Sequence, residues 1–310
     1  MAKVTPAMIK ELRESTQAGM LDCKKALTAA EGEMQAAVEW LRKKGLSKAS
    51  KVAGKVTAEG TVGLVIADDF KTATLTEVNC QTDFVSQNEN FVAIVDDMVA
   101  FIHTEQPSDM EELKSSTISG KSFEETMASA VQRVGENIQV RRFDSLTVKD
   151  SGVVNGYIHS NGSVGVIVSA KTDSDATSDK LQTFMKDIAM HAAAMSPQWL
   201  VEGDIPAENL KKEEEFARED LKKEGKPEAM WDKIIPGKLK KYAKENTLAN
   251  QMFVKDDKKT VAAALSAAAK EVGGTAELTA FARFKVGEGI EVETKDFADE
   301  VAEQLAAAKS

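Results

Sequence analysis

An α+β fold is what the sequence predicts, and three observations predict it. The hydrophobic period changes from helical to alternating at Gly60; the order strand, strand, helix occurs there and returns after residue 152; helical segments flank the whole. Two copies of one unit imply a duplicated antiparallel strand-strand-helix core, with strands on one side and helices on the other. The expected divisions are a three-helix head and linker (1–55), a first core half (56–146), a second core half (147–205 and 255–287), an inserted coiled-coil-like helical hairpin (206–254) and a C-terminal helical module (288–310).

The head begins with Thr5 and Pro6, an N-cap and first-turn pair, after which Met8, Ile9 and Leu12 recur at helical spacing. A second helix is expected over 20–30. A third carries Ala37, Val38, Trp40 and Leu41 and is expected to stop at Gly45, where a left-handed cap would fall. The segment 47–60, rich in Lys, Ala and Gly, reads as the linker out of the head.

In the core, β-branched runs at 60–66 and 72–79 read as a hairpin, and Phe91, Ile94, Val95, Met98 and Ile102 then share one helical stripe. Ser86 and Glu89 have capping-box spacing ahead of that helix. The second copy runs from a strand at 153–159 through a Ser160-Asn161-Gly162 turn to a strand at 164–171, followed by a helix carrying Leu181, Phe184, Met185, Ile188 and His191. Residues 208–224 are mostly charged, with Leu210, Phe216 and Leu221 as anchors, and Gly225-Lys226-Pro227 turns the chain into a second arm. Pro236 and Gly237 are expected to kink or interrupt that arm. An Ala-rich helix (260–270), a strand (280–286) and an amphipathic helix (294–308, with Phe297, Val301 and Leu305 on one stripe) complete the chain.

Composition narrows the function classes. The chain has 310 residues, 42% hydrophobic and 29% charged, with no membrane-length apolar run and no leader-like h-region, so a soluble protein in the cytoplasm is expected. Cys23 and Cys80 lack any paired spacing and read as buried thiols rather than a disulfide or zinc site. The first 55 residues hold 11 Lys+Arg against 6 Asp+Glu, a net of +5; the remaining 255 hold 29 against 44, a net of −15. The acidic bulk repels nucleic acid, while the basic head can be steered to an acidic surface, although lysines at a helix end are also ordinary dipole partners. No phosphate loop, HExxH, GxSxG or dinucleotide fingerprint is present, and His103, His159 and His191 have no ligand spacing. No cofactor, metal or covalent chemistry is expected. His191 reads as a hydrogen-bonded core residue, and His159, at a strand end, as exposed.

The most informative stretch is 79–85, Asn-Cys-Gln-Thr-Asp-Phe-Val, which sets the carboxylate of Asp83 beside the ring of Phe84 just after a strand. One reading makes Asp83 a turn residue and Phe84 core filler. The other makes them a pair presented to another protein. Rival functional classes are an RNA-associated protein using the basic head, and an enzyme with a pocket around His159 or His191.

Residues 12–27 (LRESTQAGMLDCKKAL) and 77–85 (EVNCQTDFV) closely resemble the two signature motifs of the bacterial elongation factor Ts family, and 284–291 (FKVGEGIE) resembles a third. The resemblance covers the whole chain. It implies a UBA-like head and guanine-nucleotide exchange on elongation factor Tu, in its GDP-bound and nucleotide-free states, with no membrane and no direct nucleic-acid contact; a homodimer or 2:2 complex is left open. It further implies that Thr82, Asp83, Phe84 and Val85 work at the partner's magnesium site, that Lys10, Arg13, Met20, Leu21 and Lys24 dock on its GTPase domain, and that His159 reaches another domain. The chain departs from the family pattern at Gln17 (usually Gly), Leu21 (usually Met), Ser163 (an arginine nearby) and Pro236 (no proline). Gln17 implies that the turn there does not need positive φ.

Overall fold

Thr5 and Pro6 do open the first helix: in the computed structural model, which describes residues 4–16 and 18–291, Met8 N–H donates to Thr5 Oγ1 at 3.3 Å. Helices α1 (Pro6–Thr16), α2 (Met20–Ala29) and α3 (Met34–Val52) bury Leu12, Cys23, Ala26, Leu27, Ala37 and Leu41 between them. The expected stop at Gly45 does not occur, because α3 runs seven residues further, to Val52. Gly45 instead faces the later helix Phe123–Val134, where a Cβ would lie 3.0 Å from Gln132 Oε1 and 3.4 Å from the Ala128 carbonyl. Close packing outweighs the roughly 0.5–1 kcal/mol that a mid-helix glycine costs. Ala49 and Val52 then find apolar cover on the core, so the first part of the expected linker is helical.

Strands β1 (Glu59–Ile66) and β2 (Thr72–Cys80) form the expected hairpin, followed by a single turn α4 (Asp83–Ser86) and helix α5 (Glu89–Glu105). Asn88, not Ser86, caps α5, its Oδ1 accepting from Asn90 N–H at 2.9 Å; Ser86 is used up as the last residue of α4. Helix α6 (Met110–Ser115), the two-residue strands β3 (Thr117–Ile118) and β4 (Lys121–Ser122), and α7 (Phe123–Val134) lead into β5 (Gln139–Thr147), which adds to β2. The sheet order is β1-β2-β5. The next strands, β6 (Gly152–Ile158) and β7 (Val164–Thr172), precede α8 (Asp175–Met195). Beyond α9 (Ala207–Lys223) and α10 (Trp231–Asn246) come short strands β8 (Met252–Phe253) and β9 (Asp256–Thr260), α11 (Val261–Glu271) and β10 (Ala276–Lys285). β10 joins β7, giving the order β10-β7-β6.

The chain is therefore a mixed α+β protein, but its strands do not lie in one layer. β2 is buried along nearly its whole length: Val78 and Cys80 meet Phe91, Ile94, Val95 and Met98 of α5, while Ala73 and Leu75 on the opposite face meet Val154, Ile167, Ala282 and Phe284 of the other sheet. The far face of that second sheet packs Val153, Val166, Val168 and Ala170 against α8 and α11. Helix, sheet, sheet, helix replaces the expected two-sided arrangement. A glycine permits the close approach of the sheets, since a Cβ on Gly165 would fall 2.6 Å from Val62 Cγ1 and 2.7 Å from Leu75 Cδ1.

The hairpin of α9 and α10 carries its own small core of Ala217, Leu221 and Ile235, with Trp231, Ile234 and Leu239 against it. α10 runs through Pro236 without interruption. Past Asn246 the chain rejoins the second core, where Leu248 and Phe253 are buried. The expected helix at 294–308 and the turn at Gln17 lie outside the described residues. Among the described residues no helix is long and apolar enough to cross a membrane, and no group of three metal-ligating side chains occurs.

Candidate functional site

β2 ends at Cys80, and from there the chain is tied down by groups that are not adjacent in sequence. The Cys80 thiol donates to the Thr82 carbonyl at 3.2 Å; burial first, and the Glu136 carboxylate second, push its pKa up to about 12, so it stays a donor. Thr82 has extended backbone and caps α4, its Oγ1 accepting from Val85 N–H at 3.4 Å while donating to Glu136 Oε1 at 2.7 Å. Glu136 Oε2 accepts from the N–H groups of Gln81 (3.2 Å) and Thr82 (3.1 Å). Downstream, Ser86 Oγ donates to the Asp83 carbonyl at 2.7 Å, and Thr61 Oγ1 to the Ser86 carbonyl at 3.3 Å.

With both ends of this one-turn helix held, its side chains divide. Val85 turns in against the first core, Asp83 is exposed, and Phe84 is 85% exposed. Burying a Phe typically stabilises a protein by about 1.5–3 kcal/mol, and the fold forgoes this at Phe84. The core-filler reading is therefore excluded for this ring. A rigidly held, outward aromatic beside a carboxylate suits insertion into an apolar recess of another molecule.

His159 comes to the same place. It is exposed at the start of the β6–β7 turn, its Nδ1 3.0 Å from Asn161 Oδ1, and Gly162 of that turn gives its carbonyl to Val62 N–H at 2.8 Å. The turn and the end of α4 flank a groove of about 510 Å³ lined by Ser86, Gln87, Val92, Ile158, His159 and Asn161. Ser163, at the position where an arginine would be expected nearby, folds its hydroxyl back onto Asn161 Oδ1 at 2.7 Å.

The head residues form a second, separate set. Lys10 and Arg13 are exposed one turn apart on α1; Met20 and Leu21, 60% and 74% exposed, open α2, with Lys24 one turn on. Two exposed apolar side chains at a helix start, beside cations, again suit a partner surface. No described contact or cavity joins this set to α4.

Two acids carry no sequence signal for their roles. Glu136 gives none in its local pattern. Glu77, in the middle of a β-branched strand, is fully buried and accepts from Arg141 Nη1 (2.9 Å), Arg142 Nε (2.6 Å) and Gly287 N–H (2.9 Å). The motif at 284–291 is thus pinned to the first sheet, with Arg142 also 4.4 Å above the Phe284 ring.

A family model described as "Elongation factor TS" matches residues 81–288. The chain is 50% identical over 302 residues to a protein named Elongation factor Ts from a Nitratiruptor species, covering 97% of this chain and 99% of that one. A protein of the same name from Nautilia profundicola is 48% identical over 306 residues (98% and 100% covered), and another from Clostridium novyi is 45% identical over 305 (97% and 99%).

Proposed function

The chain belongs to the elongation factor Ts family, and from that premise we propose that it binds elongation factor Tu in the GDP-bound and nucleotide-free states and drives GDP release during translation elongation in the cytoplasm. The chain itself makes and breaks no covalent bond. Asp83 and Phe84, with Thr82 and Val85 setting their pose, enter the partner beside its magnesium site; the ring takes an apolar recess and the carboxylate disturbs the groups that hold the ion. Loss of the ion weakens the grip on the nucleotide's phosphates. Lys10, Arg13, Met20, Leu21 and Lys24 dock on the GTPase domain, and His159 extends the contact from the core. The observation that carries this reading is an 85%-exposed Phe84 on a turn whose backbone is hydrogen-bonded from several sides.

Linkage sets the energetics: a factor that prefers empty to GDP-bound partner by some ratio weakens GDP by the same ratio. A 10⁴-fold preference needs about 5.5 kcal/mol of differential contact, within reach of an aromatic anchor plus a docked head. The test is release of fluorescent GDP from purified elongation factor Tu. Catalytic amounts of the chain should accelerate release, and the gain should shrink once a chelator has already removed magnesium. Equal release with and without the chain would overturn the exchange reading; an undiminished gain in chelator would overturn the magnesium step alone.

A further inference from the structure

We infer that Glu136 is the positioning residue that presents Asp83 and Phe84, an inference that rests on the exchange reading above. A helix of four residues has no stability of its own, since nucleation fixes several residues for almost no internal hydrogen bonding. Its direction must come from outside. Two of its anchors act on its far end: Val85 in the core and the Thr61 hydroxyl on the Ser86 carbonyl. The near end is oriented by Glu136, whose two oxygens take three donors from two consecutive residues, Gln81 N–H, Thr82 N–H and Thr82 Oγ1.

The third of these bonds sets the cap. Because the Thr82 hydroxyl spends its proton on Glu136 Oε1, its lone pairs face Val85 N–H, the geometry an N-cap needs. Glu136 is itself a fixed point. It follows Gly135, the left-handed cap of α7 (φ 91°), and precedes buried Asn137, whose Nδ2 donates to the carbonyls of Ala53 and Lys55 at 3.3 and 2.9 Å. The carboxylate thus carries the rigidity of α7 and β5 across to a turn far earlier in the chain. Charge-assisted bonds of this kind are stronger than neutral ones, and a neutral amide would meet the three donors with only one acceptor oxygen, so that with both N–H groups satisfied its NH2 would face the Thr82 hydroxyl and turn that bond around. α3 of the head packs on the same α7, so the two partner-facing sets share one supporting helix.

The test uses the full chain carrying Glu136→Gln, Glu136→Ala, Phe84→Ala, and the double variant Glu136→Ala/Phe84→Ala. Fluorescent GDP release is measured across factor concentrations, separating the maximal release rate from the concentration at half effect, alongside thermal melting. Glu136→Ala should lower the maximal rate about tenfold at temperatures where melting shows the protein fully folded, and Glu136→Gln should recover part of that loss. Since Glu136 works partly through the ring and partly through Asp83, the loss in the double variant should be clearly smaller than the product of the two single losses. Additive losses in the double variant, or a parental maximal rate for Glu136→Ala, would overturn the positioning role while leaving the exchange reading intact. A parental rate for Phe84→Ala would remove the premise itself.

Discussion

Glu77 Oε1 accepts from Gly287 N–H at 2.9 Å, joining the central strand of the first sheet to the turn that follows β10. Gly287 sits at φ +70°, and a Cβ there would lie 2.3 Å from the Ala58 carbonyl, so both the backbone angle and the space require glycine. Removing Glu77 takes the buried carboxylate from partly exposed Arg141 and Arg142, which keep Glu288 and the Lys285 carbonyl as partners, and leaves Gly287 N–H without its acceptor, at a cost near the lower end of the roughly 3–5 kcal/mol for breaking a buried pair. Glu77→Ala should therefore lower the melting temperature by roughly 10 °C, taking about 2–4 °C per kcal/mol for a chain of this size or somewhat smaller. Gly287→Ala should act in the same direction. Calorimetry showing either variant within about 2 °C of the parent would mean the cluster contributes little to stability.

Phe84→Ala should leave the melting temperature unchanged within about 1 °C, because an exposed ring contributes little to its own core, whereas a buried Phe cut to Ala costs about 3–5 kcal/mol. Asp83→Ala should melt normally too. Both should slow factor-driven GDP release by more than tenfold. Normal melting combined with parental release in both variants would sink the assignment of this turn to magnesium displacement.

Why Phe84 can be flagged but not placed from sequence is a matter of what a one-turn helix encodes. Period 3.6 needs at least two turns to show, so DFVS carries no pattern, and Thr82 resembles any turn residue until Glu136 is brought beside it. The long elements are readable because a full stripe, such as Phe91 through Ile102, repeats a buried face several times. β5 is not legible because its sequence, QVRRFDSLT, holds Arg141 and Arg142, which look solvent-facing but are drawn to buried Glu77. Gly45 misleads for the opposite reason: the missing Cβ that marks helix ends elsewhere here makes room for Ala128 and Gln132. In both places a tertiary contact overrides a local rule.

His191 gives the fold a pH dependence whose sign can be worked out. It is fully buried; Val254 N–H donates to its Nδ1 at 3.2 Å, so its Nε2–H faces Gln251 Oε1 at 3.0 Å, and the ring is neutral. Burial pushes its pKa below 6.5, against a smaller raising effect of Gln251. The unfolded chain then takes up the proton first as pH falls. Stability from this residue is complete above about 6.5 and is lost on going below it toward the folded value, at no more than about 1.4 kcal/mol per pH unit. Asp22, Asp173, Asp175 and Asp256, lowered by hydrogen bonds as their largest cause, act below 3.8. Between about pH 7.5 and 5.5, His191→Gln should flatten the fall in melting temperature seen in the parent. Parallel curves would show that the ring's protonation does not matter to folding.

The hairpin should be separable from the core only if cut at the right place. α9 and α10 bury Leu221 and Ile235 against each other, and antiparallel packed helices lie about 8–10 Å apart, a gap that a few Gly-Ser residues at about 3.3–3.6 Å each can bridge. Replacing 207–245 in this way keeps Asn246, whose carbonyl accepts from the N–H groups of Gln198 (2.9 Å) and Trp199 (3.2 Å), and costs the core the Trp199–Tyr242 ring contact and the native bonds of buried Thr247 to the Ala243 carbonyl, while the linker's last carbonyl must take over from that of Glu245 as acceptor for Gln251. That variant should unfold cooperatively and still exchange nucleotide, more slowly if the hairpin adds contact to the partner. Extending the cut to 206–254 removes buried Leu248 and Phe253 and the Gln251 partner of His191. Truncations of single Leu or Phe core residues cost about 2–5 kcal/mol, so losing both approaches the whole stability of an ordinary domain. The longer deletion should give a non-cooperative or aggregated product in denaturant titration. A cooperative transition in both variants would mean that 247–254 only decorates the second core, and failure of the shorter one would make α9 and α10 part of it.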